Sequence, residues 1–168
     1  QELFYYVEID TPDYLYVNRI TTTMRPGSHH FIVYTFDDVN QNYLPNEGVY
    51  RDIRNFNGTI NNGVLFQMQY HQFISGTQTR LFDYTLPEGV ALKIDPSFGF
   101  DLNSHYANYS NDTIVGEVYN NFYFSDLEDV DHIAEILQLV NDDIYLPPNQ
   151  ETTLNSTFWI EDEHEEPI

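Results

Sequence analysis

The chain has 168 residues, enough for one domain, and its 27 acidic and 6 basic residues give a formal charge of −21. Such a charge argues against nucleic acid and disfavours anionic membrane surfaces as partners, because both are bound through Lys and Arg. The sequence has no cysteine and no long apolar stretch, which excludes disulfides, zinc ribbons, iron–sulfur clusters, thiol nucleophiles and a membrane span.

In chain order, runs of β-branched and aromatic residues predict strands over residues 3–9, 14–23, 29–36, 64–70, 90–94, 98–106 and 114–124. Turn signals such as Pro26-Gly27, Asn62-Gly63 and Asp95-Pro96 separate these runs. Residues 37–63 are rich in Asn and Asp and indicate a long irregular connection. Many short strands between turns predict an all-β fold, an antiparallel β-sandwich of jelly-roll type.

The segment after residue 130 is ambiguous. Its apolar residues fall at helical spacing behind Asp131, a helix-capping residue type, and they are Ile133, Ile136, Leu137 and Val140. Pro147-Pro148 ends this segment, and residues 152–160 form a last strand candidate before an acidic tail. We therefore expect a jelly-roll domain over residues 1–148. Residues 149–168 would add a final strand and an acidic linker.

The distribution of six histidines is the most informative feature of the sequence. His29 and His30 open a hydrophobic strand after a Pro-Gly turn, and His105 lies inside another predicted strand. Three imidazoles without a thiolate favour copper or zinc over calcium or magnesium. Because neighbours on a regular strand point to opposite faces, the adjacent pair can share an ion only at a bulge, at a strand end or through different ring nitrogens. Otherwise one histidine packs inward, the other faces solvent and His105 is a core residue.

Other polar residues are less specific. His71 is the first alternative ligand, whereas His132 and His164 are expected at the surface. Four groups near the histidines in sequence are candidates for orienting their rings, without a more specific assignment: Tyr34, Asp101, Asn103 and Tyr106. The many carboxylates lack the loop pattern of a calcium-binding hand and are expected to form a solvated acidic face.

Two histidine-containing segments resemble a known family. Residues 24–34, MRPGSHHFIVY, are similar to the first copper motif of the type II, ascorbate-dependent copper monooxygenases. Residues 100–108, FDLNSHYAN, match that family's segment around a third histidine, and residues 116–122 resemble the strand that follows. Residues 133–140 resemble a further strand of that family. On this ground we predict a strand over residues 134–140, although the spacing of the apolar residues alone would indicate a helix.

The resemblance implies a fold, a cofactor and ligands. In the family, which includes peptidylglycine hydroxylating monooxygenase, two jelly-roll domains each hold one copper ion. The first ion has three histidine ligands and receives electrons from ascorbate. Here those ligands would be His29, His30 and His105. The second, oxygen-activating site uses a His-x-His pair and a methionine, and this chain has no His-x-His. The resemblance therefore implies only the electron-transfer half, with a second catalytic domain as an expected partner.

Several features favour a secreted protein, extracellular or periplasmic. The chain begins at Gln1 without Met, as a processed mature chain or an excised fragment would, and has a single lysine, Lys93. Four N-x-S/T sequons predict glycosylation at Asn57, Asn108, Asn111 and Asn155. An alternative is a non-catalytic structural subunit of a fibre or surface assembly, joined through edge strands at residues 3–9 and 152–160. A third alternative is a calcium-dependent adhesion or carbohydrate-binding sandwich.

Overall fold

The computed structural model describes residues 1–37, 39–139, 141 and 144–158. The described chain contains ten strands and one short α-helix, besides the 3-10 turns Gln41–Tyr43, Pro96–Phe98 and Leu127–Asp129. The strands are β1 Glu2–Val7, β2 Leu15–Met24, β3 Ser28–Phe36, β4 Tyr50–Asp52, β5 His71–Thr77, β6 Leu81–Thr85, β7 Val90–Ile94, β8 Phe100–Tyr106, β9 Val118–Phe124 and β10 His132–Ala134. Helix α1 is Asn62–Met68.

The strands form two sheets, which confirms the predicted all-β sandwich. The first sheet has the order β4-β1-β8-β3-β5, and its pairings are antiparallel. In the second sheet β2 pairs with β6, β7 and β9, all antiparallel, and β10 adds to β7 in parallel. Strands β8 and β3 are therefore interior strands of the first sheet, with a neighbour on either side.

Alternation along the strands divides the side chains of the first sheet between two faces. Phe31 and Val33 point toward the second sheet and pack with Val17, Ile20 and Met24 of β2 in the main core. Residues on the opposite face form a second apolar cluster under the connection that follows β3: Tyr6, Phe36 and Val39, with Leu44, Tyr70 and Phe98 against them. The first sheet is thus covered on both faces over part of its area.

The prediction of a strand over residues 64–70 is wrong, because the structure has α1 there. The Asn61 side chain accepts a hydrogen bond from the Gly63 backbone N–H and caps the helix, and Val64 is its buried residue. A short apolar run does not by itself distinguish helix from strand. The connection also contains β4, and strands β5 and β6 were not predicted at all.

The predicted strand over residues 134–140 is also displaced. Strand β10 ends at Ala134, and residues 135–139 belong to neither helix nor strand, while Val140 lies outside the described residues. Residues 152–158 contain no strand, and the rest of that predicted strand, 159–160, is not described.

The chain divides into two compact units, Gln1–Ile136 and Leu137–Ile168. All ten strands belong to the first, and the described residues of the second contain no regular element. Within the described residues, no helix is both long and apolar enough to cross a bilayer.

Candidate metal centre

A β-bulge on β3 brings the adjacent histidines to one side of the sheet. In the pairing of β3 with β8, Ser28 lies opposite Tyr106 and His30 lies opposite His105, so His29 is the extra residue. Gly27 precedes the bulge and has a φ of +97°, a conformation that glycine adopts easily. It lies in the turn that connects β2 to β3. The bulge removes the geometric objection to a shared ion, since two successive side chains no longer alternate at this point.

The three imidazoles face one another. Their ring centroids are 5.5 Å apart for His29 and His30, 5.0 Å for His29 and His105, and 4.9 Å for His30 and His105. One nitrogen from each ring lies within 4.8 Å of the others. The structure thus brings together all three histidines of the predicted site, although His29 and His105 are 76 residues apart in sequence.

The spacing suits a transition-metal ion. Two imidazole nitrogens bound at 2.0–2.1 Å with tetrahedral or trigonal angles lie about 3.3–3.6 Å apart. The Nδ1 atoms of His29 and His30 are 3.4 Å apart. One nitrogen from each of the three rings lies within 4.8 Å of the other two, so side-chain movements of about 1 Å bring three nitrogens to the separations that a common ion requires. The donors are neutral nitrogen atoms, which suit copper and zinc better than calcium or magnesium.

Electrostatics favours the neutral, ligating form of at least one ring. Burial lowers the pKa of His105, and positive charge on His30 lowers it further, against an opposing effect of Glu2. The N-terminal amine and His29 also lower this pKa. His29 is exposed and the other two rings are partly buried, so solvent reaches one side of the cluster.

The neighbouring groups include one residue that the sequence analysis did not single out. Glu2 on β1 lies opposite His105, and its Oε1 is 3.8 Å from His30 Nε2. Asn103, one of the unassigned candidates, lies between them: its Oδ1 is 3.0 Å from His30 Nε2, and its Nδ2 donates to Glu2 Oε1 at 3.3 Å. Sequence alone does not connect Glu2 to this site, because the pairing of β1 with β8 spans about a hundred residues.

His71 is not part of the cluster. Its Nε2 lies 2.9 Å from Asp101 Oδ2, and its ring stacks on Tyr34 with centroids 4.4 Å apart. Asp101 is fully buried and also accepts a hydrogen bond from Arg51. This group is therefore a buried ion-pair network beside the candidate site. Two more of the unassigned candidates, Tyr34 and Asp101, belong to it.

The remaining predicted residues that the structure describes, His132 and the sequon asparagines, are exposed. His132 is exposed on β10, and His164 lies outside the described residues. The asparagines of all four sequons are exposed, and these are Asn57, Asn108, Asn111 and Asn155. Comparison with protein-family models, with curated proteins and with solved structures gives no match.

Proposed function

We propose that this domain binds one copper ion through His29, His30 and His105 and serves as an electron-transfer domain. The observation that carries the proposal is the convergence of three imidazoles across the bulged pairing of two interior strands. The segments around these histidines resemble the first copper site of the type II copper monooxygenases, which is the reason for naming copper rather than zinc. A secreted location and the jelly-roll connectivity of that family belong to the same proposal.

In this proposal the protein positions the three imidazole ligands, and none of its side chains takes part in a covalent step. A copper ion in such a site supplies exchange of one electron, and three neutral imidazoles bind both of its common oxidation states. Strands β3 and β8 fix the three Cα positions, and the exposed side at His29 leaves room for a reductant. Ascorbate is the donor that the resemblance implies. The formal charge of −21 opposes the approach of this anion, so we expect reduction to accelerate as salt is added.

Metal titration tests the proposal. We expect one equivalent of Cu(II) to bind, with paramagnetic resonance parameters of nitrogen ligation, and the signal to disappear on addition of ascorbate. Replacing a ligand, His105→Ala, should weaken binding at least tenfold. The matched control is His132→Ala, at an exposed histidine of the other sheet, and it should bind like the wild type. Equal copper affinity in His105→Ala and wild type would refute the proposed ligand set. A bound copper ion that ascorbate does not reduce would refute the electron-transfer role.

A second candidate function is that of a structural subunit in a homo-assembly. The observation in its favour is an apolar cleft of about 510 Å³ between the sheets, lined by Tyr5 and Phe31 on one side and by Val118 and Phe122 of β9 on the other. Among the described strands β9 pairs only with β2, so its outer edge is open to strand addition.

Light scattering separates this candidate from the first. We expect self-association, if it occurs through this edge, to strengthen as salt screens the repulsion between acidic copies. A proline near the end of β9, Tyr123→Pro, should reduce the association, because proline removes a strand hydrogen-bond donor. A monodisperse monomer at both low and high salt would contradict the assembly role.

A further inference from the structure

We propose that Asn103 is a positioning residue that fixes which nitrogen of His30 is available to a metal, and that Glu2 sets the orientation of Asn103. The inference rests on the proposed metal site and adds to it a specific ligating atom, His30 Nδ1. It follows from a chain of three hydrogen-bonding groups on one face of the first sheet.

The positions of the residues follow from strand register. Glu2, His105 and His30 form one row across β1, β8 and β3, because Glu2 pairs with His105 and His105 pairs with His30. Asn103 precedes His105 by two residues and therefore lies on the same face, in the next row. From there its side-chain amide bridges the outer members of the first row. Asn103 is 1% exposed, so its amide has little room to turn toward water.

The donors and acceptors of this chain can be assigned by elimination. The Glu2 carboxylate only accepts hydrogen bonds when ionised, so the group 3.3 Å from it must be the amide N–H of Asn103. The carbonyl oxygen of Asn103 then faces His30 Nε2 at 3.0 Å. A carbonyl oxygen has no proton, so Nε2 of His30 carries the proton and donates it.

The consequence concerns the other nitrogen of the same ring. A neutral imidazole with its proton on Nε2 has its lone pair on Nδ1. His30 Nδ1 is the atom that lies 3.4 Å from His29 Nδ1, on the side of the ring toward the cluster. Asn103 and Glu2 thus hold the lone pair of His30 toward the candidate ion, in the way that outer hydrogen bonds fix metal-binding imidazoles.

The test begins with the metal-free protein. Long-range proton–nitrogen correlation spectra show which nitrogen of His30 is protonated at a pH where the ring is neutral. We expect the Nε2–H form in the wild type and a mixture of both forms in Asn103→Leu. The double variant Glu2→Gln/Asn103→Asp reverses the amide and the carboxylate, so residue 103 still accepts from His30, and it should restore the Nε2–H form. A wild type with the proton on Nδ1 would overturn the inference whether or not metal binds.

Zinc titration gives the second measurement. We expect Asn103→Leu to lose 10–100-fold in Zn(II) affinity and the double variant to recover to within a few-fold of wild type. The control is Asn18→Leu, which removes a hydrogen bond to Ser125 in the other sheet and should leave affinity unchanged. Wild-type affinity in Asn103→Leu would refute the positioning role. No zinc or copper binding by the wild type would refute the proposed function, and the nitrogen spectra would still decide the hydrogen-bond assignment.

Discussion

Removing Arg51 from its buried pair with Asp101 should cost far more stability than removing an arginine from a surface pair. The Asp101 side chain is 0% exposed and that of Arg51 is 12% exposed. Besides Arg51, the carboxylate has one hydrogen-bonding partner within the described part of the chain, His71 Nε2 at 2.9 Å. Replacing Arg51 by methionine keeps much of the side-chain volume but leaves the buried carboxylate without its cation. Removal of one partner from a buried pair costs about 3–5 kcal/mol. We expect a loss near the lower end of that range, about 3 kcal/mol, because the contact between His71 Nε2 and the Asp101 carboxylate remains in the variant.

Urea unfolding followed by circular dichroism measures this loss. The matched control is Arg19→Met, which removes the same side chain from a pair with Asp83 whose members are 41% and 57% exposed. We expect the control to be close to wild type, because solvent screens such pairs. Equal midpoints for Arg51→Met and Arg19→Met, or a loss below about 1 kcal/mol for Arg51→Met, would refute the view that Asp101 depends on its arginine.

Three further predictions concern backbone, pH and metal. Gly99 has a φ of +59°, and an added Cβ would lie 2.6 Å from the Val7 carbonyl oxygen. Gly99→Ala should therefore lower the thermal midpoint more than Gly58→Ala, where φ is +82° and nothing lies within 4 Å; equal shifts would contradict this. Because burial lowers the pKa of His105, the folded protein binds fewer protons there than the unfolded chain. The metal-free protein should then lose stability as pH falls below about 6.5, with a shallower slope in His105→Gln urea titrations. An unchanged slope would contradict the pKa direction. Zn(II) at about 100 times its dissociation constant should stabilise the wild type by about 2.7 kcal/mol. The same zinc concentration should leave His105→Ala unchanged, and stabilisation of that variant would place the ion elsewhere.

Strands with strong β-branched and aromatic content could be predicted from the sequence. This holds for β2, β3 and β8, whose alternation reflects one face in a core and one face elsewhere. Strand β5 could not be found in this way, because its sequence HQFISGT mixes polar residues with a bulge at the pairing with β3. Helix α1 was not predicted because its apolar residues are too few to show a period, and its first residues, Asn62-Gly63, have the sequence of a turn.

The candidate site was predictable in part. The residue types and the adjacency of His29 and His30 pointed to a metal, and a bulge was one of the conditions for a shared ion. The bulge itself depends on how β3 pairs with β8, which local sequence does not specify. The contribution of Glu2 was not predictable for the same reason, since it depends on β1 lying beside β8. Partners distant in sequence become visible only once strand order and register are known.

The position of the three histidines on two interior strands has a thermodynamic consequence. Closing a loop of some 75 residues around an ion would cost a free peptide several kcal/mol of chain entropy, but here folding of the sheet has already met that cost. Metal binding to the folded domain therefore costs little further conformational entropy. The intact domain should bind the ion much more tightly than a peptide that contains the histidine pair alone. For the same reason, the cluster should form only when the sheet has folded, and metal uptake would report on the folding of the whole first unit.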